Sequence, residues 1–292
     1  MLQEMRELGF ERVELSHNIR YHLYAGIVKA VDAGIVSISS VHNFCPVPPE
    51  ALRPSPNCFQ FSDERADSRA LAVRRTLDTL DFAVRVKAPA VVLHLGWAGP
   101  RGIADRLGQA WEHGRFLDRR YVRAKVAAVA ERRALFDAVY GRVRPCLEQL
   151  VPEARKRGLR LGFEIREDYA EFPDEVEMER LLADFPADVA GYWHDFGHAA
   201  AKEFQGWHDH EATLRRRLGR LIGCHIHDCV APDLDHRPVG VGGIDFATLA
   251  PLVPAGAVRV LELSPRVVPT DVIKSKEAWN LCAAASVLPS AS

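Results

Sequence analysis

The chain has 292 residues, 48% of them apolar and 26% charged, the balance of a globular protein with a sizeable core. A formal net charge of −1 supplies no overall field toward nucleic acid or an anionic membrane, which argues against a nucleic-acid partner. No apolar stretch approaches the ~20 residues of a membrane span. The charged start MLQEMRELGFERVELSH lacks a signal-peptide pattern, so a cytoplasmic location is expected.

In chain order, MLQEMRELG reads as a helix that precedes any strand. Strand-length apolar runs follow at RVEL (12–15), IVSISSVH (35–42), AVVLHLG (90–96), LRLGFEI (159–165), DVAGYW (188–193), LIGCHIHD (221–228) and VRVLEL (258–263). Helical patterns lie between them at 64–86, 121–157 and 175–185, the first expected to be capped by Ser62–Asp63 and the second to kink at Pro145. Strand–helix alternation without a compositional break predicts one domain over 1–292, a (β/α)8 TIM-type barrel of parallel strands with outer helices. With seven strand-like runs, its first strand is missing or atypical.

Two segments interrupt this rhythm. NFCPVPPEALRPSPN reads as a rigid loop, and about 97–120 is a long excursion of the kind that forms lids or binding loops. Arg101, Arg106, Arg115, Arg119 and Arg120 there read as a solvated charged face, with an anionic substrate group as the alternative. The six cysteines form no CxxC pair and read as reduced thiols.

Ionisable residues concentrate at the C-terminal ends of the strand-like runs: His42, His94, Glu164, Asp195, His198, His225, His227 and Glu262. That is the end on which parallel β/α barrels build active sites. Buried carboxylates and imidazoles need partners, and a cation joining them is the economical explanation for so many at one end. A mixed His/Asp/Glu set suits manganese, zinc, cobalt or iron better than calcium, and magnesium is a further candidate ion. His225 and His227, two apart, share a face, so parity alone does not choose the ligand. Glu164 and Arg166 share a face in the same way.

FEIRE, HDFGHA, HIHD…DHRPVGVGGIDF and LELSP, in that order, resemble the xylose isomerase-like barrels, which comprise sugar isomerases and epimerases together with endonuclease IV. The resemblance runs from about residue 10 to 265. It implies one divalent metal ion held by Glu164, Asp195, His225 and Glu262, with Glu164 and Glu262 also moving the proton beside a substrate carbonyl. The enzyme it implies is a metal-dependent isomerase or epimerase of a sugar, sugar derivative or cyclitol, working through a metal-stabilised enediolate. His198, His94, His42, His236 and Arg166 become substrate contacts or ligands of further zinc. An endonuclease IV-like phosphodiesterase is the alternative, weakened because Leu234 stands where that enzyme's pattern has an aspartate; a non-catalytic carbohydrate-binding barrel is the third. The small-molecule partner is therefore sugar-like, and an oligomer is compatible with the sequence.

Some nearby residues receive local readings only. Asp195 is open to an N-cap role and Gly197 to a tight turn. His194 is expected to point away from the site. His208 and His210 are expected to cap the following helix, and GVGG (240–243) to form a turn rather than a nucleotide loop.

Overall fold

The computed structural model describes residues 1–99, 107, 109–111, 113–116 and 118–284. Two compact units divide them: Met1–Ala98, Ala134–Glu164 and Glu171–Gly191 in the first, and Gly99–Arg133, Ile165–Ala170 and Tyr192–Ser292 in the second.

In the first unit, helix α1 (Leu2–Glu7) leads to β1 (Arg12–Leu15), α2 (Tyr24–Asp32), β2 (Ser37–His42), α3 (Ala66–Arg85) and β3 (Ala90–Leu93). The short strand β4 (Gly96–Trp97) follows. A long helix, α4 (Arg119–Lys156), whose residues up to Arg133 belong to the second unit, then runs through both Pro145 and Pro152 to β5 (Arg160–Glu164). β1, β2, β3 and β5 pair in that order, all parallel. The β2, β3 and β5 segments are buried almost end to end, as expected of strands covered on both faces. In α3 the buried side chains Ala72, Thr76, Thr79, Leu80 and Ala83 recur at helical spacing, so one face packs and the other carries the charges. Leu80 is fully enclosed; burial of such a side chain stabilises by about 2 kcal/mol. Its start differs from expectation. Asp63 accepts the N–H of Arg65 and Ser62 Oγ accepts the N–H of Trp97, so neither side chain caps the helix, whose N-cap is Arg65.

β6 (Glu171–Phe172) pairs antiparallel with β4. Helix α5 (Glu175–Asp184) opens with a full capping box, in which Asp174 accepts from Val176 and Glu177 while Glu177 accepts from the Asp174 N–H.

The second unit follows from β7 (Ala190–Asp195), most of which it contains, through α6 (Phe196–Phe204) and α7 (His210–Arg217) to β8 (Leu221–Ile226). A hairpin of β9 (Asp228–Val230) and β10 (Leu234–Arg237) precedes α8 (Phe246–Leu249), β11 (Val258–Leu261) and α9 (Pro269–Ala284). β7, β8 and β11 pair parallel. Phe196 and Phe246 both pack on Trp279, which anchors the last helix.

The main sheet thus has the order β1-β2-β3-β5-β7-β8-β11. It is a TIM-like α/β fold with seven strands in the sheet among the described residues rather than eight. Arg101 and Arg106 lie outside those residues, while Arg115, Arg119 and Arg120 are exposed, as a solvated charged face requires. All six cysteines are free.

Candidate metal centres

Strand register explains how distant residues meet in the first unit. His42 pairs with Val92 and Leu93 with Phe163, so His94 and Glu164, one residue beyond, reach the same end of the strands. Glu164 Oε2 lies 3.1 Å from His42 Nε2 and 2.8 Å from His94 Nε2, and all three side chains are buried.

The far nitrogens decide the chemistry of this group. His42 Nδ1 lies 3.0 Å from the carbonyl of Asn43, and His94 Nδ1 lies 3.0 Å from Asn57 Oδ1. Each Nδ1 therefore carries a proton and donates it. In the neutral tautomers both Nε2 lone pairs then point at one carboxylate oxygen. A cation shared by the two imidazoles and the carboxylate satisfies all three.

In the second unit Asp195 pairs with His225, His225 with Val260, and the N–H of Glu262 bonds the Ile226 carbonyl. This register brings Asp195, His225 and Glu262 level. His225 Nδ1 stands 3.0 Å from Glu262 Oε2 and 3.5 Å from Asp195 Oδ2. Two carboxylate oxygens bracketing one buried imidazole nitrogen make a donor set that fits a borderline divalent ion.

Asp195 has a second duty. Its Oδ1 accepts the N–H of His198 at 2.8 Å, making it the N-cap of α6. The cap and a ligand role use different oxygens and are compatible. Burial resists its charge, but the imidazoles of His198 and His227 and hydrogen bonds from His225 and His227 hold the carboxyl well below its usual range. His198 Nδ1 faces the Ile165 carbonyl at 3.1 Å, with Arg166 Nη1 at 3.3 Å. Its Nε2 faces Asp235 Oδ2 at 3.7 Å and Glu167 Oε2 at 4.0 Å. Burial, aided by Asp235 and opposed by His198 and Arg166, pushes the Glu167 carboxyl up to about 7. Asp235 goes the other way, to about 2, because His236 and His198 outweigh its own burial. Burial opposes a charge on His236, yet its bond to Asp235 and the nearby Glu262 and Asp195 raise its pKa above the ordinary value.

Three residues here escaped the sequence reading: Asn57, Glu167 and His17, whose ring centroid is 5.4 Å from that of His42. Glu167 sits one residue past Arg166 in FEIRE, so only its motif position could have drawn notice. Asn57 arrives from the Pro-rich loop, which has no periodicity to place it.

Other local expectations are corrected by the structure. His194 bonds Tyr192 and His210, so it does leave the site, but His210 is a buried partner rather than a cap. Asp209 caps α7 instead, and His208 Nε2 bonds the Ala199 carbonyl. Gly197 is helical; a Cβ there would fall 2.0 Å from His227 Cε1, so it is glycine for space rather than for a turn. GVGG does form a turn, held by buried Asp228, which accepts the N–H groups of Cys229, Gly240, Gly242 and Ile244.

A family model described as xylose isomerase-like TIM barrel matches residues 2–254. The chain belongs to that family. Among solved structures, a D-tagatose 3-epimerase-like protein is 17% identical, with a TM-score of 0.68 over 98% of this chain and 92% of that one. The 3-keto-D-glucoside 4-epimerase YcjR from E. coli is 13% identical, with 0.65 over 96% and 93%. A Thermus thermophilus protein, TTHB071, from a ZnCl2 soak, is 19% identical, with 0.59 over 97% and 92%. At these identities the likeness is one of fold. No curated protein matches the chain in sequence. Among the described residues, no helix of this xylose isomerase-like chain is long and apolar enough to cross a membrane.

Proposed function

We propose that this protein is a divalent-metal-dependent isomerase or epimerase of a sugar, sugar derivative or cyclitol. The observation that carries its metal-dependent part is the aim of His42 and His94, through Nε2, at one oxygen of buried Glu164. Such a donor arrangement suits an ion. Asp195, His225 and Glu262 are a second donor set, and family resemblance joins Glu164 to them as the fourth ligand. The two epimerase-named structures of like fold support a sugar-like substrate.

When bound, an ion would supply positive charge that favours the oxyanion developing on a substrate carbonyl oxygen as the neighbouring carbon loses a proton. Glu164 and Glu262 are the proposed acid–base pair, one taking that proton and the other returning it. His198, whose Nδ1 lies 3.1 Å from the Ile165 carbonyl and 3.3 Å from Asp195 Oδ2, presents Nε2 to a substrate hydroxyl.

The test is solvent-deuterium exchange into ketoses, keto-glycosides and inosose-like compounds by manganese-reconstituted protein, with metal content measured alongside. Exchange into one of these classes is expected, with Glu164→Gln and Asp195→Asn each lowering metal content. Unchanged metal content in both variants would refute the ligand assignment. The His42–His94–Glu164 group also favours a second reading, an endonuclease IV-like phosphodiesterase. Two or three zinc ions per chain with cleavage of an abasic-site duplex, and no deuterium exchange, would establish that reading instead.

A further inference from the structure

We propose that His227 is a positioning residue: its Nε2–H orients the Asp195 carboxylate, and the ring does not itself hold an ion. His227 lies two residues past His225, on the same face, and by residue type either could be the ligand. Hydrogen bonding separates them. His227 Nδ1 accepts the backbone N–H of His236 at 2.8 Å. A neutral imidazole has one N–H, so the proton sits on Nε2. That nitrogen lies 3.0 Å from Asp195 Oδ1 and 3.1 Å from Oδ2, where it donates to the carboxylate.

Ligation through Nε2 would require a lone pair there and move the proton to Nδ1. Two N–H groups, those of His227 and His236, would then face each other across 2.8 Å in a partly buried place. The surroundings resist that exchange. His236 takes a φ of 52°, in the left-handed region that few non-glycine residues enter, and its N–H meets His227 Nδ1. Its ring also stacks on that of His227, centroids 4.3 Å apart and planes 16° from parallel. On another side Gly197 leaves room for the ring, since a Cβ would lie 2.0 Å from Cε1 and 2.2 Å from Nδ1. His227 itself is fully buried. With the N–H of His198 on Oδ1, Asp195 is held from two directions, and its Oδ2 lies 3.5 Å from His225 Nδ1. Such outer hydrogen bonds commonly set the orientation of metal-binding carboxylates.

The role of Asp195 as an ion ligand rests on the function proposed above; the tautomer of His227 does not. The first measurement is therefore long-range proton–nitrogen NMR on the nitrogen-15-labelled wild-type protein without metal, repeated with zinc. His227 is expected to show a protonated Nε2 and an unprotonated Nδ1 in both states, while zinc shifts the signals of His225. Protonation at Nδ1, or loss of the Nε2 proton on adding zinc, would overturn the proposal.

Zinc titration of variants gives the second measurement. His227→Gln, whose amide can replace the Nε2–H donor, should keep zinc affinity within about 3-fold. His227→Ala and Gly197→Ala should weaken it by roughly 10–100-fold without changing the number of ions bound. Loss of one bound ion in His227→Gln and His227→Ala alike would make His227 a ligand and refute the proposal. If the wild type binds no zinc, the proposed function fails, while the metal-free NMR spectrum still decides the tautomer.

Discussion

Replacing His210 by glutamine should flatten the acid limb of the protein's stability. His210 is buried, with Nε2 2.9 Å from His194 Nε2, so one ring must donate and the other accept. Burial, with the charge of His208 added and Asp195 opposing, lowers the His210 pKa from 6.5 to about 3. The unfolded chain therefore binds a proton between these values that the native protein does not. A depressed histidine leaves full stability above pH 6.5 and subtracts from it as the pH falls toward 3. The slope is about 1.4 kcal/mol per pH unit for one proton, so this residue alone removes roughly 2.5 kcal/mol between pH 6.5 and 4.5. His194 is also held well below its ordinary value, chiefly by burial and then by His210, and it persists in the variant. The glutamine amide can still meet His194, so the variant should lose only about 1–2 kcal/mol at pH 7. Urea unfolding followed by circular dichroism, in chelator from pH 7 to 4.5, gives both curves. Wild type should fall about 2.5 kcal/mol further than His210→Gln over that range. Parallel curves would refute a neutral, proton-excluding His210.

Three further outcomes follow from particular contacts. Asp228→Asn turns one acceptor of buried backbone N–H groups into a donor and should cost about 2–4 kcal/mol, measured as a fall in urea midpoint at constant m value. Asp174→Ala removes the side-chain acceptor of the α5 capping box and should cost about 1 kcal/mol by the same measurement, with no change in metal content. An ion bound only by the native state stabilises it by about 2.7 kcal/mol at a hundredfold excess over Kd, so chelation should lower the melting temperature of wild type. Glu262→Gln, which loses a ligand, should show a smaller chelator effect, and an equal effect would remove Glu262 from the donor set.

Much of the scaffold could be read directly from the chain. RVEL, AVVL and RLGFE alternate with amphipathic helical stretches, and those periods report strand and helix without knowledge of their neighbours. The ends of the same runs carry His42, His94, Glu164, Asp195, His225 and Glu262. Parallel strands expose those ends together, which is why residue type and strand position sufficed to nominate candidate ligands. Caps were less legible. Ser62–Asp63 resembles a helix start, but both side chains answer other N–H groups, and only the path of the chain reveals this.

The sequence by itself determined the order of the elements, the parallel-strand architecture and the chemical types gathered at the strand ends, because these follow from local periodicity and side-chain chemistry. Tertiary structure decided the seven strands of the main sheet among the described residues and which imidazole nitrogen faces which oxygen. Asn57 takes the far side of His94, while the His236 backbone takes that of His227; neither position is marked by any periodicity in the chain. A hydrogen bond of about 3 Å depends on where such segments return, and no spacing along the chain encodes that distance. For His225 and His227, identical in type and sharing a face, this far-side bonding is what separates a candidate ligand from the residue that positions one.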